Sequence, residues 1–435
     1  LKYFYLSIAL VLTVATTAFG QLQPKNKLRS GSVYSYLGVG QPIDYRASYA
    51  DGMGLNGVAI YDDFSASLAN PAFWGRTYFS QATGGLSLNN YNARDYSGRS
   101  KNSELTANLF QAVFPLVRNK LGFSLSLSPI SRMSFMTYQQ TTLPPGMSNA
   151  GDSLLYAEQN RGDGGLNRLE LGFGYSFGKH LSIGYAPSLV FGPINNHLSI
   201  LYGSPDYQPI VYDVETKNRG FGNRFGIFYR SSHIFNSHDN LDIGGQVSLP
   251  VNLRSRRSIK SDKSVGNGTK TVIIKSEDEF GAGNIRMPME VTGGLTYSPN
   301  NKWQVGSEVL YQQWSDYQNY YKQPENYMSD RYKFAVGTRF LPQQGNINTF
   351  FSRFKYNAGV SYDSGYLKLQ GQNIETLMFS AGLGILSPKS LSSVDINFHF
   401  GIRGTKANNL VKEQIWGVKI SLNLAERMFY RPKLQ

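Results

Sequence analysis

Five histidines, His180, His197, His233, His238 and His399, are the residues best suited to acid–base or metal chemistry in this 435-residue chain. There is no cysteine, so thiol nucleophiles, disulfides and Cys-ligated zinc are excluded. His399 shares an alternating face with Asp395 and Asn397, but spacing by two places residues on one wall and does not assemble a triad. No serine stands where it would complete a nucleophile–base–orienter set, so no catalytic centre can be built. A lumenal hydrogen-bond network explains the same residues. His233 and His238 flank a turn, where solvated histidines are commoner than a metal pair. Gly162-Asp163-Gly164-Gly165 has the glycines of a phosphate-binding loop but lacks the following helix and Lys-Ser/Thr. The chain is therefore expected to be no enzyme, with no cofactor and no catalytic metal.

The composition points elsewhere. Tyr 29, Phe 26 and Gly 45 are high counts, and the formal charge is +14. A basic balance suits nucleic acid or an anionic surface, but no long basic run is present. The densest cluster, Arg254, Arg256, Arg257, Lys260 and Lys263, precedes Gly and Ser and reads as a loop tip. Nucleic-acid binding is not expected.

Lys2 and the apolar YFYLSIALVLTVATTAFG that follows read as a signal peptide over residues 1–20, with small residues closing it at Gly20. The alternative, a single membrane anchor, is disfavoured by the shortness of the run. After it, no segment offers the roughly 20 apolar residues of a spanning helix.

The elements that must position any site are strands. Leu169, Leu171, Phe173, Tyr175 and Phe177 alternate with Glu170, Gly172, Gly174 and Ser176. Val394, Ile396, Phe398, Phe400 and Ile402 alternate with polar residues and glycine, as do Trp416, Val418, Ile420, Leu422 and Leu424. Period two means one dry and one wet face. The runs exceed the usual ~5–6 residues of soluble strands. The wet face carries Gly, Ser, Asn, Asp and Arg, and aromatics recur near strand ends, as in a lipid-facing girdle.

These features predict an all-β, transmembrane antiparallel β-barrel of about 14 strands after Trp74. Turns are expected near 117–120, 177–180, 231–240, 298–302, 341–353 and 387–393, and longer loops over 139–165, 192–220, 255–283 and 313–329. Long and short connections fall on opposite sides, and hydrocarbon requires closure because it offers no partner to the backbone. Met428-Phe429-Tyr430 gives the last strand an aromatic close.

Residues 21–76 do not fit the strand rhythm. Ile60, Phe64 and Leu68 are spaced i, i+4, i+8, which predicts a short helix ended by Pro71. Gly52, Gly54 and Gly57 permit tight backbone packing before it. A segment this small needs a wall, and the lumen supplies one.

The stretch GMGLNGVAIYDDFSASLANPAFWG (52–75) resembles the N-terminal hatch of the FadL family of outer-membrane transporters for long-chain fatty acids and hydrophobic compounds. Asn70-Pro71-Ala72 stands where that family has its Asn-Pro-Ala motif. Ser32 to Gly40 is similar to a variant common in Bacteroidetes-type bacteria. The resemblance implies a hatch over 21–76 inside a barrel over 77–430, in the bacterial outer membrane. It implies capture of a hydrophobic small molecule and lateral release through a kink in the third strand. Pro129 is the candidate gate there, with Pro187, Pro250 and Pro288 also in or near strands. Phe64, Leu68, Phe73 and Trp74 are candidate substrate-lining residues, or anchors of the hatch to its wall. Met133, Phe135 and Met136 border the entry or face lipid. Partners implied are outer-membrane lipid and lipopolysaccharide, and the barrel-assembly machinery that reads such C-terminal strands. The barrel would be a monomer or part of an outer-membrane complex. The alternative reading is a FadL-like adaptor or scaffold barrel, as in type IX secretion, without transport. A general porin is disfavoured because the hatch would occlude it.

Overall fold

Alternation along each run becomes the two sides of one closed wall. The computed structural model describes residues 31–143, 154–203, 209–265, 268–276, 279, 281–300, 302–342, 350–387 and 390–427. The signal-peptide and C-terminal aromatic expectations lie outside the described residues.

Fourteen antiparallel strands form the wall. The first two are β1 (Ser80–Arg94) and β2 (Arg99–Val117), followed by β3 in two pieces (Leu121–Pro129 and Ser131–Leu143). Strand β4 is also in two pieces (Leu154–Gly164 and Asn167–Phe177), then β5 (Leu181–Tyr202) and β6 (Ile210–Ser232). Strand β7 comprises Asn240–Ser248 and Val251–Val265, and β8 comprises Gly268–Lys275, Gly283–Met287 and Glu290–Ser298. The remainder are β9 (Trp303–Gln312), β10 (Arg331–Phe340), β11 (Phe354–Asp363), β12 (Thr376–Leu386), β13 (Ser393–Arg403) and β14 (Lys412–Glu426). Each pairs with the next, and β1 closes on β14 from Ser80↔Glu426 to Arg94↔Lys412. Among the described residues no helix is long and apolar enough to cross a membrane.

The outside is apolar. On β9 and β10, Val305, Val309, Phe334 and Val336 are exposed. Below them Trp303 stacks on Phe340 at 4.6 Å, and above them Tyr311 meets Tyr332 at 5.1 Å. The eight-residue rise from Trp303 to Tyr311, at about 3.4 Å per residue and a tilt of about 40°, spans roughly 21 Å, close to the height of a lipid-facing band. Arg168, Glu170, Arg224 and Glu308 are buried on the opposite face.

All six expected turns fall between strands. Three expected loops do not: 139–165, 192–220 and 255–283 are largely strand, because β3–β4, β5–β6 and β7–β8 continue as hairpins past the membrane band. The basic cluster from Arg254 likewise sits on β7, paired with β6 and β8 from Arg254 through Lys263, so it is no loop tip.

The predicted helix over 60–68 is absent. Instead, short 3₁₀ helices form at Ser48–Met53 and Pro71–Arg76. Pro71 starts a helix rather than ending one: Asn70 is its cap, accepting from the Ala72 N–H at 3.0 Å. The i, i+4 pattern was misleading because Ile60 and Leu68 are buried from irregular backbone by separate tertiary contacts, not along one amphipathic face. Ile60 and Leu68 are both buried while Phe64 stacks on Phe79 at 5.7 Å.

Candidate functional site

The N-terminal segment from residue 31 packs against the inward face of both halves of the wall. The Ser48–Met53 helix contacts β10 to β13, and the Pro71–Arg76 helix contacts β2 to β6. The wall is recessed to receive it. A methyl group on Gly174 or Gly184 would strike the backbone of Pro71 and its neighbours, and one on Gly244 the Val58 carbonyl. Gly172 and Gly174, read from sequence as a wet face, are seats for this segment.

Charge fixes it further. The Glu308 carboxylate accepts from the Asn56, Gly57 and Val58 N–H groups at 2.6, 2.8 and 2.6 Å. Glu413 accepts from Ser32 Oγ and the Val33 N–H at 2.7 and 2.9 Å. In the other direction, segment carboxylates meet wall cations: Asp44 with Arg331 and Lys333 at 2.6 and 2.9 Å, Asp51 with Lys419 at 2.8 Å, Asp62 with Lys355 at 2.8 Å. Burial alone would raise the Asp44 carboxyl, but Arg331, Lys333 and Arg46 hold it well below the usual carboxylate range. Burial is likewise outweighed at Asp51 by Lys419 and Arg46, and at Asp62 by Lys355 and Arg339. Asp63 runs the other way: burial, then neighbouring Asp62, raises it.

The motif residues do what close packing requires. Gly54 and Gly57 adopt φ of 71° and 93°, a region that favours glycine. A methyl on Gly52 would press on Asn397 and Gly382. The Asn70 amide donates to the carbonyls of Val58 and Ile227, both at 2.9 Å. Of the candidate lining residues, Phe73 packs on Phe228 with ring centroids 5.0 Å apart, and Trp74 is buried with its indole N–H on the Ser67 carbonyl. Leu68 alone of the four borders the lumenal cavity described next.

That cavity is about 240 Å³. It lies between the segment and strands β1–β3 and β10–β14, and ten ionisable side chains of Asp, Glu, Arg and Lys line it, among them Arg46, Asp51, Glu104, Arg132 and Lys419. His399 is also there, with Nε2 2.9 Å from Asn89 Oδ1, a member of a hydrogen-bond network. Above it the lumen is apolar and filled. Trp314, Tyr317, Tyr366, Leu367 and Ile374, carried by the β9–β10 and β11–β12 connections, pack with Tyr34 and Val39 against Met133, Leu166 and Leu253. The adjoining void at Tyr34, Tyr366 and Leu367 measures about 30 Å³, room for a few waters at most. Met133 and Phe135 belong to this cluster and do not face lipid.

Pro129 ends the lower piece of β3. Breaks also fall at Gly165–Leu166 in β4, Leu249–Pro250 in β7 and Pro288–Met289 in β8, so proline marks a level around the wall rather than one strand. Above Pro129, β2 and β3 lose their pairing. Lower β3 pairs with β2 from Val117↔Leu121 to Phe110↔Leu127. Upper β3 pairs with β4, and its other edge at Ser131 and Arg132 takes Gln41–Pro42 of the N-terminal segment in place of β2. Sequence reasoning named Pro129 but missed Glu104 and Arg132, whose 2.8 Å ion pair crosses the gap; charged residues on an alternating wet face carry no mark of a gap. Among the described residues no group of His, Asp or Glu could hold a metal ion.

Solved structures share this architecture. The Ralstonia pickettii toluene transporter TbuX is 14% identical with a TM-score of 0.57, over 87% of this chain and 98% of that one. A Pseudomonas aeruginosa FadL homologue is 11% identical with a TM-score of 0.56, over 88% and 98%. The Pseudomonas putida toluene transporter TodX is 14% identical with a TM-score of 0.53, over 89% and 99%. At these identities what is shared is the fold, that of FadL-type outer-membrane barrels. No curated protein matches the sequence. The family model of BamG matches residues 2–435, end to end through plug-like segment and wall alike, and the chain belongs to the BamG family.

Proposed function

We propose that this barrel is a scaffold of the outer membrane, an adaptor that holds a fixed extracellular rim for other outer-membrane proteins rather than an open conduit. One observation carries the reading. The upper lumen, which an apolar ligand must cross, is filled by buried Trp314, Tyr317, Tyr366 and Leu367, and ten charged side chains break up the apolar lining of the space beneath. Ligand sites for small apolar molecules are concave and mostly apolar. Residues 31–76 then act as a permanent plug, and the β5–β6 and β7–β8 hairpins supply the rim.

The test is uptake of labelled oleate and toluene by cells with and without the protein, alongside photo-crosslinking from exposed Tyr321. Equal uptake, with cross-links to outer-membrane proteins from Tyr321 but none from a probe at lipid-facing Val305, is expected. Uptake that depends on the barrel would overturn the reading.

The parting of β2 from upper β3 favours a second reading: capture of a hydrophobic compound, long-chain fatty acids included, and lateral release beside Pro129. Structures of like fold are named as toluene transporters. On this reading the apolar cluster must open, and Trp314→Ala should raise barrel-dependent uptake.

A further inference from the structure

The gap between β2 and upper β3 has a defined outline. Its top is spanned by Gly31, whose N–H donates to the Ser134 carbonyl at 2.8 Å while the Asn102 side-chain amide reaches the Gly31 carbonyl at 3.4 Å. Its bottom is the first β2–β3 pair, Phe110↔Leu127. Between these, Thr106, Asn108, Leu109, Ile130 and Arg132 line both the gap and the 240 Å³ cavity. A portal in a membrane wall thus leads to a cavity in which ten charged side chains stand among apolar ones.

Its height matters. Ser103 pairs with Asn90, which pairs with Trp416, an exposed tryptophan near the upper start of β14. Tryptophan at that position marks the membrane–water interface, so Glu104 and Arg132 sit just beneath head-group level. Below them the outer surface is apolar: Leu86 and Leu88 are exposed, and Leu88 pairs with Leu105. The Arg132 side chain is 37% exposed, and among the described residues Glu104 is the one acid that pairs with it. Behind it, Arg46 and Lys419 share Asp51 at 3.3 and 2.8 Å. Asn397, 2% exposed and lining the same cavity, has a side-chain oxygen with no hydrogen-bond partner.

We propose that this portal binds the phosphate-bearing head group of a membrane lipid, with the head on Arg132 inside the wall and the acyl chains left outside on Leu86, Leu88 and Leu105. The site goes beyond the scaffold reading and needs no transport. Guanidinium–phosphate pairing is favoured where the fork geometry is met in a partly dry setting. The phosphate would displace Glu104 from Arg132. That exchange gives the two residues opposite signs. Removing the cation removes the site, while neutralising Glu104 frees the cation.

The experiment is native mass spectrometry of the full-length barrel in detergent, titrated with dioleoylphosphatidylethanolamine, dioleoylglycerol or inorganic phosphate. Heat-modifiability checks that each variant is folded. Wild type is expected to retain one phospholipid under conditions that strip dioleoylglycerol. Arg132→Gln should bind about tenfold more weakly, the loss of one charge-assisted contact. Glu104→Gln should bind several-fold more tightly, and Arg99→Gln at the exposed β1–β2 turn should match wild type. Equal retention of dioleoylglycerol, or unchanged affinity in both gap variants, overturns the proposal. Competition by millimolar inorganic phosphate as effective as the lipid also overturns it, since the ligand would then be a free phosphoester.

Discussion

Glu308 shows how single residues hold this molecule together. It is buried, and its carboxylate is shared by three consecutive N–H groups, so its charge is stabilised by fixed backbone dipoles rather than by water. Glu308→Gln puts an amide donor against those donors and should loosen residues 56–58 by about 2 kcal/mol. Hydrogen exchange at Gly57 and Val58 measures it; protection equal to wild type would show that the wall glycines suffice. The aspartates make a pH-dependent counterpart. Asp44, Asp51 and Asp62 are held below their ordinary value of 3.8. Their contribution is therefore complete above that value and is lost as pH falls through the lower folded values. Asp63, held above it, offsets part of the loss. Limited proteolysis should begin to cut within residues 31–76 only below about pH 3.8, with the wall strands still protected. Cutting that begins at pH 6 would contradict the ion-pair account.

At the scale of elements, β4 and β5 matter through what they lack. Gly174 and Gly184 have no side chain where the Pro71–Arg76 helix lies against them. Gly174→Ala forces that helix off the wall, at about 1–3 kcal/mol of overpacking, and should lower the temperature at which the folded form is lost on semi-native gels. Gly178, at φ 68° in the adjacent turn with open space around it, is the contrast: Gly178→Asn keeps the left-handed backbone and should leave that temperature unchanged. Strand β3 gives a second test. Its upper piece is held away from β2 by Gln41–Pro42 and by Gly31, not by the proline alone. Pro129→Ala should therefore leave the gap intact, read as unchanged accessibility of a cysteine placed at Asn108 to a membrane-impermeant thiol reagent. Protection of that cysteine would assign the gap to Pro129 itself.

For the whole molecule, the question is whether a cylinder with residues 31–76 packed against its inner face conducts. The Asn70 side chain ties the Val58 carbonyl to the wall at Ile227, so the 70–72 segment rivets the N-terminal segment to the barrel. Replacing Asn70-Pro71-Ala72 by Gly-Ser-Gly should raise outer-membrane leakage of small polar antibiotics several-fold while the barrel still assembles. Unchanged sensitivity would mean that the extracellular connections alone seal the lumen. Those connections bring Trp314 and Tyr366 together with ring centroids 4.9 Å apart, and Trp314→Ala combined with the 70–72 replacement should leak more than either change alone.

Much of this was legible in the sequence. Period-two alternation through Leu169–Phe177 and Trp416–Leu424 determined a wall with one apolar side, because a strand's faces are fixed by local geometry. The turn residues determined where the wall reverses and hence about how many strands it has. The glycines at 52, 54 and 57 and the Asn-Pro-Ala segment announced tight packing ahead of the barrel. The form of that packing was not legible. Ile60, Phe64 and Leu68 carry a helical spacing that the chain does not use, because each is placed by its own tertiary contacts rather than by one shared face. Nor could Glu308 be matched with Gly57, or Glu104 with Arg132. A charged residue on an inward face looks the same whether water, a plug or a gap lies before it. Only closure of the sheet, which brings β14 beside β1 and residues some 250 positions apart into hydrogen-bonding range, decides which of these it is.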